Sequence, residues 1–120
     1  MKVIIAGSRD ITDINLVYQS VHYAKKELQW NITEVVSGGA KGIDTLAEQF
    51  AEEQNIPLKV FPADWNTHRK AAGPIRNRKM AEYADALIAI WDGESRGTAN
   101  MIQEAKNKNL KVYVHAVGYL

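Results

Sequence analysis

Three short stretches carry residue types that can do chemistry: Gly7-Ser8-Arg9, Val36-Ser37-Gly38-Gly39-Ala40-Lys41-Gly42-Ile43-Asp44, and Trp91-Asp92-Gly93-Glu94-Ser95-Arg96-Gly97-Thr98. Glycines at this density let a backbone approach a ligand closely, and the free N–H groups of a helix start attract anions. The chemistry they offer is the holding of a phosphate. In the middle stretch the amides of Gly39 to Gly42 would face the anion, with the Lys41 ammonium close by; the alternative is a tight strand-to-helix turn that binds nothing. This stretch is not a Walker A loop, because the Gly-Lys-Ser/Thr ending is missing. Nor is it the dinucleotide fingerprint, because Ser37 stands where the first glycine belongs. In the last stretch the Thr98 hydroxyl, with the amides of Gly97 and Thr98, either holds a phosphate or simply caps a helix.

A fourth group, Arg76-Asn77-Arg78-Lys79, opens a helix. Arg76 can take a phosphate bidentately and Asn77 can hydrogen-bond a ribose or base, or the run is a solvated basic face, as Arg78 and Lys79 are expected to be. Trp65 and Trp91 either stack on a base or belong to the core or an interface. The three histidines have no metal-ligand spacing, no Ser-His-Asp set resembles a triad, and neither a metal nor a cofactor is expected.

These groups need a scaffold, and the apolar pattern supplies one. Residues 3–6 form a continuous apolar run, as in a strand buried on both faces. A helix over 13–29 follows, capped by Thr12 or Asp13, with Leu16, Val17, Val21, Ala24 and Leu28 on one face. Strands at 34–36, 58–61, 86–91 and 111–115 alternate with helices at 42–54, 74–83 and 97–107, Pro74 standing at the first helical position. Residues 62–73 read as a long irregular loop. This alternation predicts an α/β fold, doubly wound, with a mostly parallel five-stranded sheet and helices on both faces. In such a sheet the three glycine turns all fall on the edge where ligands bind.

A chain of 120 residues is sized for one domain. Fifteen basic and 14 acidic residues leave a net charge of +1, which gives no global pull toward nucleic acid or membrane. The absence of cysteine excludes disulfides, thiolate chemistry and Cys-ligated zinc. The apolar run after Met1-Lys2 is too short for a signal peptide, and no window is long enough to span a membrane, so the expected location is cytoplasmic.

The glycine turns, together with Ala63-Asp64-Trp65, Ala72-Gly73-Pro74-Ile75-Arg76-Asn77, Met80 and Ala84-Asp85, resemble the YspA/YpsA-related branch of the SLOG superfamily in order and over nearly the whole chain. The resemblance implies one Rossmann-like, nucleotide-binding domain over residues 1–120. It implies a nucleotide or nucleotide-derived ligand held by Gly7, Ser8, Arg9, Ser37, Gly38, Gly39, Lys41, Gly42, Asp44, Arg76, Asn77, Asp92, Gly93, Ser95, Gly97 and Thr98. The related LOG phosphoribohydrolases cleave nucleoside monophosphates with a Pro-Gly-Gly-x-Gly-Thr-x-x-Glu signature. Aligning Gly97-Thr98 with it puts Met101 at the glutamate, leaving Asp44, Asp92, Glu94 or Glu104 to substitute. Binding therefore ranks above hydrolysis. Single-stranded nucleic-acid binding, as in the related DprA/Smf proteins, ranks third. A homodimer is expected as well, because Trp30, Tyr83, Tyr113, Tyr119 and Leu120 are hard to bury together in so small a chain.

Overall fold

Val3, Ile4 and Ile5 are fully buried, and so are Leu87, Ile88 and Ile90, because the strands that hold them lie at the centre of a sheet covered on both sides. A computed structural model describes residues 1–118. Its strands are β1 (Lys2–Gly7), β2 (Glu34–Ser37), β3 (Leu58–Val60), β4 (Ala86–Trp91) and β5 (Lys111–Ala116). They form one five-stranded sheet, entirely parallel, in the order β3-β2-β1-β4-β5. The helices are α1 (Asn15–Lys26), α2 (Ile43–Glu53), α3 (Trp65–His68), α4 (Ala72–Tyr83) and α5 (Arg96–Asn107). This is the doubly wound, Rossmann-like α/β architecture that the alternating pattern predicts.

Strand alternation sorts the core into two halves. Val3, Ile5, Val35, Ile88 and Ile90 pack against α1 and α2; Ile4, Ala6, Val36, Leu87 and Ala89 pack against α4 and α5. The chain winds from β1 outward through β2 to β3, then crosses back to lay β4 on the other side of β1. The connections leaving β1 and β4 therefore diverge and open a crevice between them.

The structure departs from the sequence expectations mainly at element ends. Helix α1 ends at Lys26, three residues early, because Gln29 takes a left-handed φ of +58°. That turn lets the Trp30 amide donate to Ala24 O at 3.0 Å and carries the Trp30 ring into the core, where it is 8% exposed. Leu28, expected on the buried face, is left outside. At the other end the N-cap is Ile14, which has no side-chain cap, rather than Thr12 or Asp13; Asp13, one residue earlier, accepts the Asn15 amide on Oδ1 at 3.0 Å. The segment 62–73 is not irregular: it holds α3, a 3₁₀ turn over Arg69–Ala71 and the first residues of α4. Asp64 caps α3 by accepting the Thr67 amide. Pro74 is the third residue of α4 rather than the first, still within the turn where a missing N–H costs nothing.

Two more of the aromatics expected to crowd the surface find partners within the chain. Tyr83 packs on Phe61 and donates its hydroxyl to Glu34, and Tyr113 stacks on Tyr23 at 4.8 Å. Tyr119 and Leu120 lie outside the described residues. Among the described residues no helix is long and apolar enough to cross a membrane.

Candidate functional site

The turn after β1 is built by close approach. A Cβ at Gly7 would stand 2.3 Å from Ile90 O, so only glycine lets the end of β1 close on the end of β4. Ser8 follows, 2% exposed, with a hydroxyl that has no hydrogen-bond partner of good geometry among the described residues. Its carbonyl accepts the Ile43 amide at 3.3 Å. Gly42 makes that contact possible, since it holds φ at +76° and a Cβ there would lie 2.5 Å from the carbonyls of Ser8 and Arg9. Gly42 thus fastens the turn after β2 onto the turn after β1.

The turn after β2 uses part of its own hydrogen-bonding capacity. The Gly39 amide donates to Ser37 Oγ at 3.1 Å and the Ala40 amide to Asp44 Oδ2 at 3.1 Å. Ser37, fully buried, donates in turn to Glu48 Oε2 at 2.8 Å. Asp44 is 6% exposed. Burial raises its carboxyl to about 6, and the Ala40 amide and the Arg76 and Arg9 guanidinium groups only partly offset that rise, which Glu48 reinforces. Arg76, partly buried, donates from Nη1 to Gly38 O and from Nε to Asn77 Oδ1 at 2.9 Å. Burial lowers its pKa against the opposing pull of Asp44. Gly38 is small for a reason: a Cβ there would meet Arg76 Nη1 at 2.6 Å and Asp44 Oδ2 at 2.9 Å.

After β4, Asp92 Oδ1 accepts the amides of Glu94 at 2.8 Å and Ser95 at 2.9 Å, and these bonds hold its carboxyl below the usual range. Ser95, not Thr98, caps α5: its Oγ accepts the Thr98 amide at 3.4 Å and lies 3.0 Å from the Thr98 hydroxyl. The Arg96 and Gly97 amides in the first turn of α5 have no partner among the described residues. Asn77 is 6% exposed and donates to Asn100 Oδ1 at 2.9 Å, tying α4 to α5 and steadying Arg76.

Beyond the carboxyl ends of the strands these turns surround a cavity of about 640 Å³. Gly7, Ser8, Arg9, Asp44, Arg76, Asn77, Asp92, Ser95, Gly97 and Thr98 line it. A smaller cavity of about 340 Å³ lies over the turn after β2, lined by Gly38, Gly39 and Lys41. Arg9, Ala40, Trp65 and Arg76 line both. Ser37, Gly42 and Gly93 line neither; Ser37 and Gly42 shape the turn after β2 from behind, and Gly93 holds φ at +84° in the turn after β4. Trp91 also stays out, its indole N–H donating to Ser95 O at 3.1 Å. Sequence reasoning did not place Asp10, Arg96 or Asn100 in the site. Asn100 was within reach of it, because a residue three positions after Gly97 shares its helix face. Met101, 1% exposed, lines the larger cavity where the resemblance to the phosphoribohydrolases asks for glutamate. Glu104 pairs with Arg78 at 3.5 Å and lines neither cavity. Among the described residues no group of three or more His, Asp or Glu could hold a metal ion.

The sequence profile of the YspA, cpYpsA-related SLOG family (YAcAr) matches residues 1–68, more than half of the chain. The protein belongs to this SLOG family. Gene 61 protein of Mycobacterium phage D29 is 32% identical over 117 residues, covering 92% of this chain and 93% of its own. The fold is similar to DNA processing protein A (DprA) from Streptococcus pneumoniae, with a TM-score of 0.71 and 21% identity over 94% of this chain. The chain spans about half of that protein, 49% of its length. DprA from Helicobacter pylori, whose structure is described for its single-stranded DNA binding mode, superposes with a TM-score of 0.69 and 19% identity, covering 98% of this chain and 74% of its own. At such identities the likeness is one of fold. Within the SLOG chain the profile match takes in the first two glycine turns and Trp65, whereas Arg76 and α5 lie beyond it.

Proposed function

We propose that this SLOG protein binds a nucleotide or nucleotide-derived phosphate in the cleft at the carboxyl edge of its sheet. One observation carries the reading: the 640 Å³ cavity at the β1/β4 crevice brings the unpaired first-turn amides of α5 together with the Arg9 and Arg76 guanidinium groups. Its volume suits a mononucleotide. A helix start and two guanidinium groups are the chemistry that holds a phosphate. Binding is favoured over cleavage because Met101 offers a thioether where a hydrolase of this kind would need a carboxylate.

Calorimetric titration with nucleoside 5′-monophosphates tests the reading. Arg76→Ala should weaken binding by about 1.5–3 kcal/mol, the worth of a charge-assisted hydrogen bond. Arg78→Ala should change little, because that side chain is 63% exposed and faces Glu104. Equal effects at both positions would remove Arg76 from the site. Release of free base during incubation would move the reading to hydrolysis. The fold neighbours favour a second reading, single-stranded DNA. An oligonucleotide that binds with steep salt dependence, where mononucleotides do not bind, would select it. Self-association belongs to the same proposal. Its support is the open β3 edge, where Leu58 and Val60 are 42% and 37% exposed.

A further inference from the structure

The chain has three tryptophans, and two of them are engaged. Trp30 is 8% exposed within the core, and Trp91 donates its indole N–H to Ser95 O. Trp65 is 51% exposed, and its N–H has no partner among the described residues. A large indole left half in water forgoes the burial that ordinarily places it inside. Its position is nevertheless defined. It is the first residue of α3, which the Asp64 side chain caps, and a Cβ at Gly73 would stand 3.8 Å from its Cη2. One edge of the ring thus rests near the first turn of α4. Trp65 also lines both cavities, together with Arg9 and Arg76.

We propose that Trp65 is the platform on which a nucleobase stacks, so that the site selects phosphates carrying a base over plain sugar phosphates. The inference rests on the phosphate reading above and adds a specificity-determining residue to it. Stacking suits this position because every base has a flat apolar face, and an aromatic ring beside guanidinium groups can hold the base while they hold its phosphate. Trp65 is then the residue that distinguishes a nucleotide from inorganic phosphate or ribose 5-phosphate.

The test titrates the wild type, Trp65→Phe and Trp65→Leu with the four nucleoside 5′-monophosphates and with ribose 5-phosphate, using calorimetry and tryptophan fluorescence. In the wild type and Trp65→Phe at least one monophosphate should bind about tenfold tighter than ribose 5-phosphate. In Trp65→Leu that ratio should fall toward one, with ribose 5-phosphate affinity unchanged. The bound monophosphate should quench emission in the wild type but not in Trp65→Phe, because neither Trp30 nor Trp91 lines the cavities. A ratio kept in Trp65→Leu, equal wild-type affinities for the two kinds of ligand, or no quenching at saturation would overturn the role of Trp65 and leave the phosphate reading standing. Failure of every monophosphate and of ribose 5-phosphate to bind would overturn both. The quenching arm decides the matter even where Trp65→Leu does not fold.

Discussion

Asp44 sits in the first turn of α2 with the Ala40 amide on its Oδ2, Arg76 and Arg9 on its cavity side and Glu48 one turn along its own helix. Burial raises its pKa to about 6 from an ordinary 3.8. Between those two values the folded protein keeps a proton that the unfolded chain has lost, so this group makes folding less favourable as pH rises through the window. Its full cost, about 3 kcal/mol, is present above pH 6 and absent below pH 4. Urea unfolding from pH 4 to 7 should therefore show Asp44→Asn gaining stability relative to the wild type by up to that amount as pH increases. A difference that does not change with pH would mean that Asp44 ionises without penalty. At this scale the sequence showed residue types but not their engagements. Arg76 stood out in a basic run at a helix start, and Asp44 at the end of a glycine turn. That Asn77 is tied to Asn100 was hidden, because its partner lies on a helix that reaches it only after the sheet has formed.

Single glycines decide how the elements meet. Gly42 and Gly97 both stand at helix starts, yet they should respond in opposite ways to alanine. At Gly42 a side chain meets a left-handed φ and two carbonyls at 2.5 Å, so Gly42→Ala should cost several kcal/mol or prevent folding. At Gly97 none of the described residues has an atom within 4 Å of an added Cβ, and the helix gains propensity. Gly97→Ala should raise stability by about 0.5–1 kcal/mol in urea unfolding while weakening nucleotide binding, because the new methyl group enters the cavity. A variant that gained stability and kept its affinity would remove the start of α5 from the site. Strands β1 and β4 were legible because burial on both faces leaves an unbroken apolar run. Helix α3 was not, since four residues are too few to display a stripe. Nor was the early end of α1, set by one left-handed residue that the apolar pattern does not record.

For the whole molecule, the parallel order β3-β2-β1-β4-β5 leaves β3 and β5 as open edges. If the β3 edge joins two copies, sedimentation at tens of micromolar should show a dimer, and Leu58→Lys should return it to a monomer without loss of stability. A monomeric wild type would remove self-association from the proposal. The sheet order also bears on how the protein is made. Strand β1 lies between β2 and β4, and its pairing with β4 joins Val3 to Ala86 and Gly7 to Ile90. A nascent chain that has reached residue 68 holds every residue of the family match but has a central strand paired on one side alone and only half of a ligand cleft. Such a fragment should be trapped by chaperones or aggregate. In the finished protein, amide exchange should be slowest along β2, β1 and β4, the strands that are paired on both sides and buried on both faces of the sheet.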